Sequence, residues 1–355
     1  MSCDDVYFMG RALMLARKGH PSPNPRVGAV VVRDGVIIGE GFHERVGMPH
    51  AEVNAMKGID AKGATLYVTL EPCSHHGRTP PCTDAIIKAG IERVVCAMRD
   101  PNPKVDGLRL LKEAGITVEA GVLEAEARRL NEAFIRYIDT KRPFTVLKCG
   151  MSLDGKIATK TGESKWITSQ PSRKRSRLMR ENFDAILVGI NTVLADDPML
   201  RSGGTKDPKR IILDSALRIP RESNVLSDGN VLVVTTGRAD ETRLRELRND
   251  GIEVLVCGET EVDLAALLKV LGERGISSLL VEGGSTVHGS FVMAGLVDKV
   301  LFFIAPLLIP GSDALSAVGG VGIEQLGDAF RLGTMRVRRF GDDILIEAYP
   351  AQRTE

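Results

Sequence analysis

The first part of the chain alternates short apolar runs with amphipathic segments, a pattern that is typical of an α/β domain. Two apolar runs, 27–32 and 36–41, flank Asp34-Gly35 and predict a β-hairpin. Further strands are predicted at 64–70, 93–98 and 116–120. Helices are predicted at 4–18, 50–58, 80–90, 106–114 and 123–139. This order of elements predicts a three-layer domain of about 140 residues.

The alternation starts again after the charged segment 141–143, which ends in proline. We place a domain boundary there, so that the predicted domains are 1–143 and 144–355. Strands are predicted at 144–149, 184–189, 210–213, 230–235, 252–257, 277–281 and 299–304. Helices are predicted at 170–182, 239–250, 261–274 and 284–295. A hairpin of 337–340 and 344–348 is expected to close this second α/β domain with antiparallel strands.

Composition and charge narrow the functional classes. The chain has 355 residues, of which 43% are apolar and 26% charged, so it can bury a core and is not a fibrous or disordered protein. Its net charge of +1 argues against a protein that coats nucleic acid. The longest apolar run, 300–309, is too short to span a bilayer, and no signal peptide is recognisable. We expect a cytoplasmic protein with a small-molecule substrate and with neither nucleic acid nor a membrane as partner. A homodimer or higher homo-oligomer stays open.

One histidine and two cysteines form the strongest chemical signal. His50-Ala51-Glu52 is followed by Pro72-Cys73 and Pro81-Cys82. An imidazole and two thiolates suit Zn²⁺, and three protein ligands leave a fourth position open for water, as in a catalytic site. Glu52 follows the histidine by two residues and is placed to transfer protons without binding the metal. The pattern predicts the hydrolytic deamination of zinc nucleobase deaminases, which carry H-x-E and P-C-x-x-C. A structural zinc site and unrelated core residues are the alternatives.

The spacer between the two cysteines departs from that signature. Eight residues separate Cys73 from Cys82, where the signature has two. The longer loop carries His75, His76 and Arg78 beside the predicted metal site, so we expect it to contact substrate. Arg78 is a candidate for binding a phosphate group, and either histidine is a candidate for the ring or the phosphate. Solvated loop histidines or a replacement zinc ligand are the alternatives.

The second domain carries a glycine pair between a predicted strand and a predicted helix. Glu282-Gly283-Gly284-Ser285-Thr286 lets the backbone approach a ligand and adds two hydroxyl groups at a helix N-terminus, which is a phosphate-binding arrangement. The dinucleotide fingerprint G-x-G-x-x-G is absent after the first strand of this domain. An ordinary tight turn is the alternative.

These motifs, in their order, resemble those of the bifunctional riboflavin-biosynthesis deaminase/reductase family. The segments 23–29, 47–52 and 71–82 are similar to its deaminase half. The segments that are similar to its reductase half are 151–156, 164–169, 191–198 and 281–286. The resemblance implies a cytidine-deaminase-like N-terminal domain with zinc and a dihydrofolate-reductase-like C-terminal domain with NADPH. The expected fold class is therefore α/β in both halves.

The resemblance also implies roles for individual residues of the first domain. His50, Cys73 and Cys82 are expected to bind zinc, and Glu52 is expected to be the proton shuttle. Asn24 is expected to hydrogen-bond the pyrimidine, because an amide can both donate to and accept from a base edge. A turn between two prolines is the alternative role for this asparagine.

In the second domain the resemblance implies a cofactor site and a substrate site. The expected cofactor-binding residues are Asp154, Trp166, Thr192, Asp196, Gly284, Ser285 and Thr286. The expected substrate-binding residues are Lys156, Ser164, Arg180, Leu200, Arg201 and Glu282. The family usually continues after the leucine with Thr-x-Arg, whose arginine meets the substrate phosphate, whereas Arg201-Ser202-Gly203 follows Leu200 here. We expect that another arginine takes that role. The candidates are Arg201, from a shifted position, and Arg173, Arg177 and Arg180.

The expected function is a two-step reaction of flavin biosynthesis. The first domain would deaminate a diamino-ribosylaminopyrimidinone 5′-phosphate, and the second would transfer a hydride from NADPH to C1′ of its ribose. A nucleoside or transfer-RNA deaminase with an accessory non-catalytic domain is the alternative. A monofunctional enzyme with one degenerate half and a non-enzymatic binding protein are two others.

Overall fold

The computed structural model of the protein describes residues 3–75 and 80–351. The chain divides into two units, Met1–Lys141 and Arg142–Glu355. The division falls inside the charged segment that was chosen from the sequence, two residues before the expected boundary. No helix in the described ranges is long and apolar enough to cross a membrane.

The N-terminal unit is a five-stranded sheet with helices around it. Its strands are β1 Gly28–Arg33, β2 Val36–Phe42, β3 Thr65–Val68, β4 Arg93–Cys96 and β5 Thr117–Ala120. Their spatial order is β2-β1-β3-β4-β5, with antiparallel pairing on both sides of β1 and parallel pairing from β3 to β5. Its helices are α1 Cys3–Ala16, α2 Ala51–Met56, α3 Cys82–Lys88, α4 Gly107–Glu113, α5 Glu124–Leu130 and α6 Glu132–Thr140.

The helix predicted at 123–139 is two helices, and the prediction of one continuous helix was wrong. The break lies at Asn131, whose backbone leaves the helical region and whose side chain is buried. Its Oδ1 accepts from the backbone N–H of Arg26 at 2.8 Å, and its Nδ2 donates to the Arg26 carbonyl at 3.0 Å. The asparagine therefore satisfies the hydrogen-bonding groups of a backbone segment that is distant in the sequence. The hydrophobic periodicity of the sequence does not reveal a tertiary contact of this kind.

The C-terminal unit is a nine-stranded sheet. Its strands are β6 Phe144–Ser152, β7 Ala185–Gly189, β8 Lys209–Leu213, β9 Val231–Thr235, β10 Glu253–Val256, β11 Ser278–Gly283, β12 Lys299–Ala305, β13 Leu332–Phe340 and β14 Asp343–Pro350. Their order is β10-β9-β8-β7-β11-β6-β12-β14-β13. The sheet is parallel from β10 to β12 and antiparallel at β14 and β13, as the predicted terminal hairpin requires.

In the described part of this unit, five α-helices accompany the sheet: α7 Gln170–Met179, α8 Ile190–Asp196, α9 Glu241–Asn249, α10 Leu264–Glu273 and α11 Ser285–Met293. The sequence predicted all of them except α8, because its seven residues are too few to show a helical repeat. The strands β7, β11 and β6 lie side by side, so the segments that follow them meet at one edge of the sheet.

Close packing of α1 on β1 requires a glycine at position 28. A Cβ atom there would lie 2.1 Å from the carbonyl oxygen of Ala12 and 2.7 Å from the backbone nitrogen of Ala16. Gly28→Ala is therefore expected to lower the free energy of unfolding by about 1–3 kcal/mol, as overpacking does. Urea unfolding followed by circular dichroism measures this change.

Gly10→Ala is the matched control, because nothing lies within 4 Å of a Cβ at this position inside α1. It is expected to raise stability by up to about 1 kcal/mol through helix propensity. Equal effects of the two substitutions would contradict the packing argument.

Candidate active sites

In the N-terminal unit the three predicted metal ligands meet. Nδ1 of His50 lies 3.2 Å from Sγ of Cys82 and 3.5 Å from Sγ of Cys73. Within the described ranges, this is the only group of three or more histidine, cysteine or acidic side chains arranged to hold a metal ion. His50 precedes α2, Cys82 begins α3, and Cys73 follows β3, so three elements position the donors.

The donor set fits zinc. Tetrahedral zinc with Zn–N of about 2.1 Å and Zn–S of about 2.3 Å separates nitrogen and sulfur by about 3.6 Å, close to the observed distances. The hydrogen bond between the two sulfurs lowers the pKa of Cys73 to about 4 and raises the pKa of Cys82. A hydrogen bond to Cys73 also raises the pKa of His50. The site thus favours a thiolate at Cys73, and a bound dication would favour thiolates at both positions.

Glu52 lies in the first turn of α2 and lines the same cavity as His50 and Cys73. The cavity has a volume of about 480 Å³. Its polar lining residues are Asn24, His43, His50, Glu52, Glu71, Cys73, His75, Asp100 and Asn102. The Glu52 side chain is buried, and burial raises the pKa of its carboxyl group. The structure therefore places a carboxyl group beside the metal donors and out of bulk water.

Asn24 is held in one orientation by His43. Nδ1 of His43 lies 3.2 Å from the carbonyl oxygen of Pro49 and must donate to it, so Nε2 accepts from Nδ2 of Asn24 at 3.2 Å. Burial lowers the pKa of His43 and so favours the neutral imidazole that this pairing needs. The amide oxygen of Asn24 is left to accept from a ligand. Sequence reasoning missed His43.

Two further acidic residues of the cavity were also missed. Glu71 accepts from the backbone N–H groups of Asp100 and Leu108, which indicates a structural role. Asp100 lines the cavity, and burial raises its pKa to about 6. The segment Asp100-Pro101-Asn102 follows the end of β4. Polar residues after a parallel strand are the sequence signal that would have identified Asp100 as a candidate site residue. The predicted substrate contacts His76 and Arg78 lie outside the described residues.

In the C-terminal unit, Glu282 at the end of β11 lies between two cations. Nε and Nη2 of Arg180 donate to its two oxygens at 2.9 and 2.8 Å, and Nζ of Lys148 lies 3.6 Å away. Burial acts to raise the pKa of Glu282, but the two positive charges lower it to about 2. Sequence reasoning missed Lys148, whose signal is a single charge inside the apolar strand β6.

Asp154 and Lys156 hold a neighbouring loop. Oδ1 of Asp154 accepts from the backbone N–H of Ile309 at 3.0 Å. Nζ of Lys156 donates to the Ala314 carbonyl at 3.3 Å and to Oγ of Ser316 at 3.4 Å. The structure therefore uses both side chains to attach residues 309–316 to the end of β6.

The glycine pair lies beside α8. A Cβ on Gly284 would lie 3.5 Å from Oγ1 of Thr192, so this predicted cofactor residue meets the start of α11, which holds Ser285 and Thr286. The backbone N–H of Gly319 donates to the Ser285 carbonyl at 3.1 Å. Asp196, at the end of α8, lies 3.6 Å from Nζ of Lys165.

The other predicted residues have different surroundings. Trp166 is 67% exposed, and the Arg173 guanidinium lies 4.4 Å from its ring centroid. Ser164 is half-buried in the same segment. Leu200 is buried in the core on one side of the sheet. Arg201 pairs with Asp228 at 3.1 Å.

Each of the two units matches a known protein family. Residues 2–98 match the cytidine and deoxycytidylate deaminase zinc-binding region, and residues 143–346 match the RibD C-terminal domain. The riboflavin biosynthesis protein RibD of Aquifex aeolicus is 46% identical over 351 residues, which cover 96% of this chain and 97% of that protein. Its counterpart in Actinobacillus pleuropneumoniae is 44% identical over 355 residues, covering 97% and 94%. The chain belongs to the RibD family.

Solved structures agree with this assignment. RibD of Acinetobacter baumannii superposes with a TM-score of 0.88 at 39% identity, covering 98% of this chain and 99% of that one. The Thermotoga maritima diaminohydroxyphosphoribosylaminopyrimidine deaminase/5-amino-6-(5-phosphoribosylamino)uracil reductase has a TM-score of 0.84 at 39% identity, with the same coverage. The predicted fold class and the prediction of a RibD deaminase/reductase are confirmed, and the nucleoside-deaminase alternative is not favoured. The two halves imply zinc and a nicotinamide cofactor.

His43→Ala tests the orientation of Asn24. We expect the kcat/KM of ammonia release to fall by about tenfold or more, because the amide is no longer held, while the zinc content is unchanged. In an Asn24→Ala background, the same substitution is expected to have little further effect. Additive losses in the double variant would show that His43 does not act through Asn24.

Gly319→Ala tests the arrangement at the start of α11. A Cβ at this position would lie 2.3 Å from Oγ of Ser285, so we expect the KM for the nicotinamide cofactor to rise about tenfold. Gly327→Ala is the control, since nothing lies within 4 Å of a Cβ there. Steady-state kinetics on the deaminated product measure both. If the KM for the cofactor is unchanged in Gly319→Ala, the loop that contains Gly319 does not contribute to cofactor binding.

Proposed function

We propose that this RibD-family chain deaminates the pyrimidine ring of diamino-ribosylaminopyrimidinone 5′-phosphate and then reduces the ribose of the product with NADPH. The observation that carries the proposal is that His50, Cys73 and Cys82 form a group that can hold a metal ion, and that Glu52 lines the same cavity as His50 and Cys73. In the C-terminal unit of the same chain, Glu282 lies with Arg180 and Lys148 at the end of the parallel strand β11. The substrate agrees with the name of the Thermotoga maritima structure.

For the deaminase, His50, Cys73 and Cys82 would hold zinc, which supplies Lewis acidity that makes a water molecule acidic near neutral pH. Glu52 would transfer one proton from the attacking water to the ring nitrogen. It would then transfer the second proton, from the newly formed hydroxyl group, to the amine, so that the C–N bond breaks, the ring carbon becomes a carbonyl and ammonia leaves. Asn24, oriented by His43, would accept a hydrogen bond from the pyrimidine edge. His76 and Arg78 stay proposed substrate contacts on the strength of the resemblance.

For the reductase, the segment Gly284-Ser285-Thr286 together with Thr192 would bind the nicotinamide cofactor, with Trp166, Asp196 and Asp154 nearby in the family pattern. The choice of NADPH rests on the resemblance to that family. C1′ of the ribose would accept the hydride while the bond between C1′ and the ring oxygen breaks. Lys148 and Arg180, which Glu282 positions, would stabilise the charge that develops on this oxygen until it takes a proton from water. Ser164, Leu200, Lys156 and Arg201 stay proposed substrate contacts, and the side chains of Lys156 and Arg201 also bind the Ala314 carbonyl and Asp228.

We also propose a homodimer or higher homo-oligomer in the cytoplasm, with neither nucleic acid nor a membrane as partner. The edge strand β13 supports self-association, since Met335 and Val337 are each more than 60% exposed on a strand paired only with β14 among the described strands.

A coupled assay of the wild type and Glu52→Gln tests the two-step proposal. With zinc-loaded protein, the diamino substrate and NADPH, the wild type is expected to release ammonia and then oxidise NADPH. Glu52→Gln is expected to lose about 10²–10⁴-fold in ammonia release, because the general acid–base group is gone, and to keep its zinc. It should still oxidise NADPH when the deaminated product is supplied.

Glu44→Gln is the matched control, because this glutamate is exposed and does not line the cavity. NADH in place of NADPH is expected to support slower oxidation. A zinc-loaded wild type that releases no ammonia would refute the proposed substrate, and unimpaired release by Glu52→Gln would refute the proposed proton shuttle.

A further inference from the structure

Helix α7 carries a dense group of positive charges beside Trp166. An open cavity of about 650 Å³ is lined by Trp166, Gln170, Pro171, Arg173, Lys174 and Arg177. Three of these six residues are cationic, and none is acidic. The positive potential of the cavity is therefore not neutralised by its own wall, and it favours an anionic ligand.

Most arginines near this cavity are already engaged. Arg173 donates to the Thr168 carbonyl and stacks on the Trp166 ring. Arg180 uses Nε and Nη2 on Glu282 and Nη1 on the Arg201 carbonyl. Arg201 itself pairs with Asp228, which also binds Arg210. Each of these guanidinium groups would have to give up an ionic or carbonyl partner to bind a phosphate.

Arg177 is different. It is exposed, and no ion pair or side-chain hydrogen bond joins it to another residue of the described ranges. A Cβ on Gly203 would lie 3.2 Å from its Nε and 3.5 Å from its Cζ. The Arg177 guanidinium therefore lies against the backbone at position 203, in space that a side chain there would take.

Gly203 makes this placement possible in two ways. It lacks the side chain that would displace the guanidinium, and its φ of +71° is one that other residues rarely adopt. Position 203 is also where the Thr-x-Arg pattern would put an arginine. A guanidinium is thus present at this place, but it comes from α7 instead of from the chain after Leu200.

We propose that Arg177 binds the 5′-phosphate of the substrate in the reductase half, which makes it a specificity-determining residue. This inference rests on the proposed function, because that function supplies the phosphate. Arg177 and Arg180 are three positions apart and face the same side of the helical turn. A substrate whose ribose lies at Glu282 and Arg180 would therefore place its phosphate near Arg177. A guanidinium binds a phosphate monoester through two charge-assisted hydrogen bonds.

The test compares Arg177→Gln with Arg175→Gln, which removes the same charge from an exposed position of α7 that does not line the cavity. The substrate is 5-amino-6-(5-phosphoribosylamino)uracil with NADPH. For Arg177→Gln we expect the KM for this substrate to rise about 10- to 100-fold with kcat within about threefold, because the lost contact lies away from the reacting carbon. Arg175→Gln is expected to behave like the wild type.

Two further measurements identify which phosphate is bound. With the dephosphorylated substrate, the wild type and Arg177→Gln are expected to have the same KM, because the contact is missing in both. Inorganic phosphate is expected to compete with the substrate in the wild type and to compete about tenfold more weakly in Arg177→Gln. The KM for NADPH should not change.

Each contrary result has a distinct meaning. Equal KM values of Arg177→Gln and Arg175→Gln for the phosphorylated substrate would overturn the assignment of Arg177 while leaving the function intact. A rise in the KM for NADPH, without one for the substrate, would overturn it in favour of the cofactor phosphate. A wild type that does not reduce the substrate at all would refute the proposed function itself, and the assignment of Arg177 with it.

Discussion

Parallel strands end at the same edge of a sheet, and this constraint brings together residues of both candidate sites. In the N-terminal unit, β3 and β4 are parallel neighbours, and Cys73 and Asp100 lie in the segments that follow them. In the C-terminal unit, β7 and β11 are neighbours, so Thr192 and Gly284 meet although they are far apart in the chain. The sheet supplies rigid positions, and the connecting segments supply the chemistry.

Pairing of charges decides which side chains are available to a ligand. The carboxylate of Glu282 is held between Lys148 and Arg180, since a buried charge without partners would be costly. Asp228 likewise binds two cations, Arg201 and Arg210. Nζ of Lys156 donates to the carbonyl of Ala314 and so holds a loop. A positive residue in a functional segment is therefore often structural, whereas Arg177, like Lys174 on the same helix, has no ion pair among the described residues.

Local rules predicted much of the architecture. Asp34-Gly35 forms the turn between β1 and β2 as its sequence requires, and the chain divides into two units within the charged segment 141–143, two residues before the expected boundary. The failures had two different causes, one tertiary and one local. The break at Asn131 exists because this side chain binds the backbone of Arg26, and α8 is too short to show a repeat.

The sequence by itself determined the chemistry of the deaminase half, because zinc hydrolysis needs particular residue types. His50, Glu52, Cys73 and Cys82 are recognisable wherever the chain places them. Only the tertiary structure decided that His43 orients Asn24, that Lys148 faces Glu282, and that the guanidinium beside Gly203 comes from a helix. Phosphate and sugar binding depend on which charges remain unpaired after folding, and this depends on distances in space that residue types do not specify.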